Sequence, residues 1–79
     1  MKPISSAIVV DVDIRGGLPT LRHTNLTISE LLATIEDDYS ISAIAEERDI
    51  ELALIEKALR ELAEYFSRSF VKESYRPLN

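Results

Sequence analysis

The chain contains no cysteine and no tryptophan, one histidine, two glycines and three prolines in 79 residues. Without cysteine there are no disulfides, thiolate metal ligands or cysteine nucleophiles. That composition fits a reducing compartment, and a cytoplasmic location is the expectation. Long apolar runs are also missing. None exceeds the four residues Ala7–Val10, far short of the roughly 20 that cross a bilayer, so no membrane association is expected. The leading segment MKPISSAIVVDVD lacks the apolar stretch and small-residue cleavage site of a secretory leader. A chain this short buries roughly 60% of its unfolded surface. That permits one domain with a modest core, near the size at which a partner chain often completes the packing. Hydrophobic residues at 46% and charged residues at 29% mark an ordinary globular chain.

Catalytic signatures are equally scarce. His23 falls in an expected loop or strand end, no serine sits in a nucleophile elbow, and Arg15-Gly16-Gly17 lacks the spacing of a phosphate loop. Asp11 and Asp13 share one side of an expected strand, but two carboxylates without further ligands are a poor metal site. Asp37-Asp38 and Glu46-Glu47 diverge on a helix and make no acid/base pair. No catalytic residue, metal or cofactor is therefore expected. Charge is unevenly distributed around the net value of −5: residues 1–25 carry +1, residues 26–51 carry −7 and residues 52–79 carry +1. An acidic middle repels phosphate backbones and suits a basic protein partner, although a solvated helical surface explains it as well.

Period-two alternation of Ile8, Val10, Val12 and Ile14 predicts a half-buried strand. Gly16 and Gly17 end it in a tight turn, and a second strand is expected over Thr20–Arg22. Thr27-Ile28-Ser29-Glu30 has the form of a capping box, with Leu26 and Leu31 at the staple positions. It predicts a first helix whose apolar face is Ile28, Leu31, Leu32 and Ile35, closing near Asp38 in a left-handed conformation. Ser40 caps a short second helix with Ile41, Ile44 and Ala45 inward. Asp49 then serves as N-cap of a long third helix. The expected fold is mainly α with a short N-terminal β-arm or hairpin and a three-helix, helix-turn-helix unit. Its boundaries are 1–26 for the arm, 27–66 for the helices and 67–79 for a C-terminal extension.

On the third helix, Leu52, Ile55, Leu59, Leu62 and Phe66 form one apolar strip, and Leu54, Ala58 and Tyr65 form a second beside it. The combined face is wider than one core stripe requires. It predicts either a homodimer through Leu54, Ala58 and Tyr65, or a helix sunk between its own arm and helices. On the polar face, Glu56–Arg60, Lys57–Glu61, Arg60–Glu64 and Glu64–Arg68 are spaced to pair with one another. In a helix-turn-helix this helix enters the major groove. Its leading residues Glu51, Ala53, Leu54 and Lys57 make a poor phosphate-binding set.

Over roughly residues 8–66 the chain resembles the small bacterial family known as domain of unknown function 433. Asp11, Ile14, Gly16, Gly17, Pro19, Leu21, Arg22 and Thr24 match its N-terminal pattern in order, and Ser40, Ile44, Glu46, Ile55, Ala58 and Leu59 match its helical part. His23 stands where that family prefers glycine, Asn25 where it prefers arginine, and Asp38 where a helix-closing glycine is usual. The resemblance implies a β-arm followed by a homeodomain-like three-helix unit, dimerisation, and an antitoxin that binds a PIN-like ribonuclease toxin and operator DNA. On that expectation Arg15, Arg22, His23, Lys57 and Arg60 are the nucleic-acid candidates. Phe66, Arg68, Phe70, Lys72 and Tyr75 are the toxin-contact candidates. The alternative is a homo-oligomeric helical interaction module with no nucleic-acid role.

Overall fold

The computed structural model describes residues 2–74, with side chains described through Ser67. Three short strands, β1 (Lys2–Pro3), β2 (Ile8–Val10) and β3 (Thr20–Leu21), precede three helices, α1 (Ile28–Glu36), α2 (Ile41–Arg48) and α3 (Leu52–Ser74). The sheet is antiparallel in the order β1-β2-β3, with Lys2 opposite Val10 and Ile8 opposite Leu21. The fold is thus mainly α with a small N-terminal β unit, and no helix is long and apolar enough to cross a membrane among the described residues.

The predicted strand from Ile8 to Ile14 stops early. The Asp11 carboxylate accepts the Asp13 amide at 3.0 Å, and Ile14 N–H reaches the Asp11 carbonyl at 2.8 Å. This local turn competes with a ladder and leaves Val12 78% exposed. Asp11 and Asp13 therefore shape a turn and do not share a strand face. Ala7, Ile8 and Val9 are all buried in succession, because both faces of this short strand are covered and alternation loses its meaning. The partner β1 carried no apolar pattern that announces a strand. After β2, Arg15, Gly16 and Gly17 form a 3-10 turn with three successive positive φ angles of 51°, 68° and 88°. A Cβ added at Gly16 meets nothing within 4 Å, so the backbone angle, not crowding, favours glycine there.

The capping box at α1 forms as expected. Thr27 Oγ1 accepts the Glu30 amide and Glu30 Oε1 accepts the Thr27 amide, each at 3.0 Å. Leu26 and Leu31 at the staple positions are both buried. Leu32, placed on the inward face by spacing, is instead 46% exposed. Helix α1 closes through Asp38 at φ 72°. Ser40 caps α2 by accepting the Ala43 amide. Asp49 does not cap α3. It ends α2 at φ 57°, ψ 48°, donating its amide back to Ala45 and Glu46 carbonyls. Asp tolerates this left-handed geometry better than most residues, and α3 starts three residues later.

Leu21, Leu26, Leu31 and Ile55 are the fully buried aliphatic anchors that tie β3, α1 and α3 together. Each contributes about 1.5–3 kcal/mol of burial. Ala58 is also wholly buried, and Leu54 packs against this core. The second strip of α3 is thus covered at Ala58, and partly at Leu54, by the chain's own elements. Beyond them, Tyr65 and Phe66 stay 59% and 64% exposed.

Candidate docking groove and the charges around it

The 3-10 turn puts the Arg15 side chain over the start of α1. Arg15 Nη1 donates to Glu30 Oε1 at 2.9 Å and to the Asn25 carbonyl at 3.1 Å. The same carboxylate oxygen thus serves both the capping box and an ion pair. The hydrogen bond from Arg15, reinforced by the Thr27 amide, holds the Glu30 carboxyl down to about 2. The carboxylate in turn raises the Arg15 guanidinium. Arg15 is therefore committed to staple the turn onto α1.

Arg22 is committed as well. Its Nε donates to the Ser6 carbonyl at 2.8 Å, and its amide donates to the Ala7 carbonyl at 2.9 Å. His23 is exposed at φ 66°, a left-handed conformation that explains why glycine suits this position. Arg15 and Arg22 are thus engaged within the chain, while Lys57 and Arg60 are exposed on α3. The α3 face that carries Lys57 and Arg60 also exposes Glu56 and Glu64. Among the described residues Arg15–Glu30 is the one direct ion pair, so Glu56–Arg60, Lys57–Glu61 and Arg60–Glu64 remain open.

Glu61 turns away from Lys57 to the β1–β2 bend. Its Oε1 accepts Ser5 Oγ at 2.6 Å and the Ala7 amide at 3.1 Å, and its Oε2 accepts Ser6 Oγ. Partial burial opposes ionisation, yet these three donors and the Lys57 charge together hold the carboxyl below its usual range. Next to this contact a groove of about 550 Å³ opens between the arm and the later turns of α3. Ile4, Ile8, Ile28, Leu62, Tyr65 and Phe66 supply its apolar walls, with Glu61 and Glu64 beside them. Tyr65 and Phe66 meet edge-to-face with ring centroids 5.6 Å apart, a favoured geometry for an aromatic pair. Ile4 is 55% exposed.

Of the expected toxin contacts, Phe66 lies on this groove. Arg68, Phe70 and Lys72 fall on the last turns of α3 with side chains outside the described residues, and Tyr75 lies outside the described residues altogether. Tyr65, expected in a dimer interface, is a groove residue too. Ile4 and Glu61 were missed. Glu61 looked like one more self-paired helical acid, and Ile4 sits in a segment without periodicity. Only the pairing of β1 with β2 brings the two together.

No curated protein and no solved structure matches the chain. A family model described as protein of unknown function (DUF433) matches residues 8–61. The match runs from β2 through the buried half of α3 and covers more than half of the sequence, so the chain belongs to the DUF433 family.

Proposed function

We propose that the protein is an antitoxin-like regulatory protein that acts by binding a protein partner, a PIN-like ribonuclease toxin, through the groove beside α3. The observation that carries this is the exposed Tyr65–Phe66 pair walling an apolar groove of about 550 Å³. Aromatic residues at the edge of an apolar cleft are common anchors of protein interfaces. Charge favours the same class of partner. Glu36, Asp37, Asp38, Glu46, Glu47 and Asp49 are all exposed along α1 and α2. A ribonuclease must itself present cationic surface to bind a polyanion, and an acidic partner complements it. The antitoxin part of this reading is supported by the family resemblance alone.

Co-expression with the product of the neighbouring open reading frame tests this. The protein should retain that product on a column and relieve its toxicity. Tyr65→Ala with Phe66→Ala should abolish retention while leaving the circular dichroism spectrum intact. A neighbour that is neither toxic nor retained removes the antitoxin assignment.

The second reading, a homo-oligomeric module without nucleic-acid binding, is favoured by the internal engagement of Arg15 and Arg22. A gel shift on upstream DNA at low salt separates it from an operator-binding role. Light scattering decides the oligomeric state against a protomer mass of 8.9 kDa.

A further inference from the structure

The bend at Ser5–Ala7 is gripped from two sides by opposite charges. Glu61 from α3 accepts both serine hydroxyls and the Ala7 amide. Arg22, just after β3, donates to the Ser6 carbonyl, and its amide takes the Ala7 carbonyl. Besides these contacts, residues 2–6 are held by a short ladder, Lys2 opposite Val10 and Pro3 opposite Val9. β1 is two exposed residues long, and one of them is Pro3, which has no amide to give to the ladder. Ile4 and Ser5 both donate to the single carbonyl of Ile8, at 2.9 and 3.1 Å. Ile4, in the middle of this segment, forms one wall of the groove.

We propose that residues 2–6 are a latched strap on the docking groove, with the Glu61 carboxylate as the latch that holds the strap on α3. Closed, the strap narrows the groove by placing Ile4 against it. Released, it removes that wall and leaves Ile8 and Leu62 open alongside Tyr65 and Phe66, widening the apolar surface available to a protein partner. The Glu61 latch is polar, so it opens without unpacking the aliphatic core of Leu21, Leu31 and Ile55, while Arg22 still holds the Ser6 carbonyl at the base of the strap. This regulation rests on the groove being the docking surface. The latch itself is measurable with no partner present, so its failure and the failure of docking are read separately.

The test is amide hydrogen exchange on the full chain, comparing wild type with Glu61→Ala and with the double variant Ser5→Ala, Ser6→Ala. The second variant leaves α3 unaltered in case loss of Glu61 weakens the helix. Loss of charge-assisted bonds should speed exchange at Ile4, Ser5 and Ala7 by about tenfold or more, while Leu31 and Ile44 stay within about twofold of wild type. Glu61→Gln, which keeps an acceptor oxygen, should fall between wild type and Glu61→Ala. Unchanged exchange in the arm overturns the proposal. So does equal acceleration of arm and core amides, since Glu61 would then be a general stabiliser and not a latch.

Discussion

Replacing Thr27 tests whether the start of α1 is held by its cap. Thr27 is 2% exposed, and its hydroxyl accepts the Glu30 amide at 3.0 Å. The Glu30 carboxylate returns a bond to the Thr27 amide and also accepts Arg15. Thr27→Ala removes the cap acceptor, at about 1 kcal/mol, and deletes a buried methyl group, at about 0.8 kcal/mol. Together that is close to 2 kcal/mol. A domain of this length has a total stability of roughly 4–12 kcal/mol, so the loss is large. It corresponds to a fall in Tm of about 8–16 °C. Thr27→Ser keeps the acceptor and loses only the methyl, so its fall should be about half as great. Urea and thermal denaturation followed by far-UV circular dichroism measure both variants. If Thr27→Ser is as damaging as Thr27→Ala, packing and not capping holds the helix start. If Thr27→Ala costs less than about 0.3 kcal/mol, neither does.

Three further outcomes follow from the same contacts. Both Glu30 and Glu61 have carboxyl pKa values lowered in the folded state, Glu30 from 4.5 to about 2. The stabilisation from each is therefore full above its unfolded value and lost as pH falls through its folded one, for Glu30 between about 4.5 and 2; acid titration of the urea midpoint should show this, and Glu30→Gln should flatten it. Ile55→Ala, at a position with no exposure, should cost about 2–5 kcal/mol. Phe66→Ala, at 64% exposure, should cost less than about half of that, and a reversed order in urea denaturation would refute the division of α3 into a buried half and a docking half. His23→Gly should raise Tm by a few degrees, since relief of a left-handed side chain is worth about 1–2 kcal/mol and the added backbone freedom costs about 0.5–1 kcal/mol; a lowered Tm would mean the imidazole makes a stabilising contact.

Features written in local chemistry were legible in the sequence. The capping box at Thr27 and Glu30, the serine cap at Ser40 and the left-handed Asp38 each depend on a few neighbouring residues, and each forms. Features decided by tertiary pairing were not. β1 has no pattern of its own and exists because Lys2 and Pro3 lie opposite Val10 and Val9. The apolar width of α3 suggested a partner, but Leu54 and Ala58 face the chain's own core, since periodicity reports that a face is buried without saying by what. Asp49 illustrates a chemical ambiguity. A short acid at a helix junction suits the end of one helix, as a left-handed cap, as well as the start of the next, and here it ends α2. The groove was half visible: Phe66 and Tyr65 stood out as apolar residues late in α3, whereas Ile4 and Glu61 meet only through the folded arm.

The committed arginines also bound what nucleic-acid binding would look like. Each phosphate contact contributes about 0.9 to the slope of log affinity against log salt. Arg15 and Arg22 would have to abandon Glu30 and Ser6 to make such contacts. Within the candidate set that leaves His23, Lys57 and Arg60, all exposed; with histidine counted neutral, the two α3 cations give a slope near −2 for one protomer and about −4 for a pair. Substituting Lys57 or Arg60 by alanine should lower the slope of each protomer by about one and leave Tm unchanged within a degree or two. Substituting Arg15 or Arg22 should do the reverse, lowering Tm with little effect on the slope, because their partners are a capping carboxylate and a backbone carbonyl of the arm. An Arg22→Ala variant that loses a unit of salt slope at unaltered Tm would show that the guanidinium leaves Ser6 for phosphate at no cost. The arm would then be a nucleic-acid contact and not a strap.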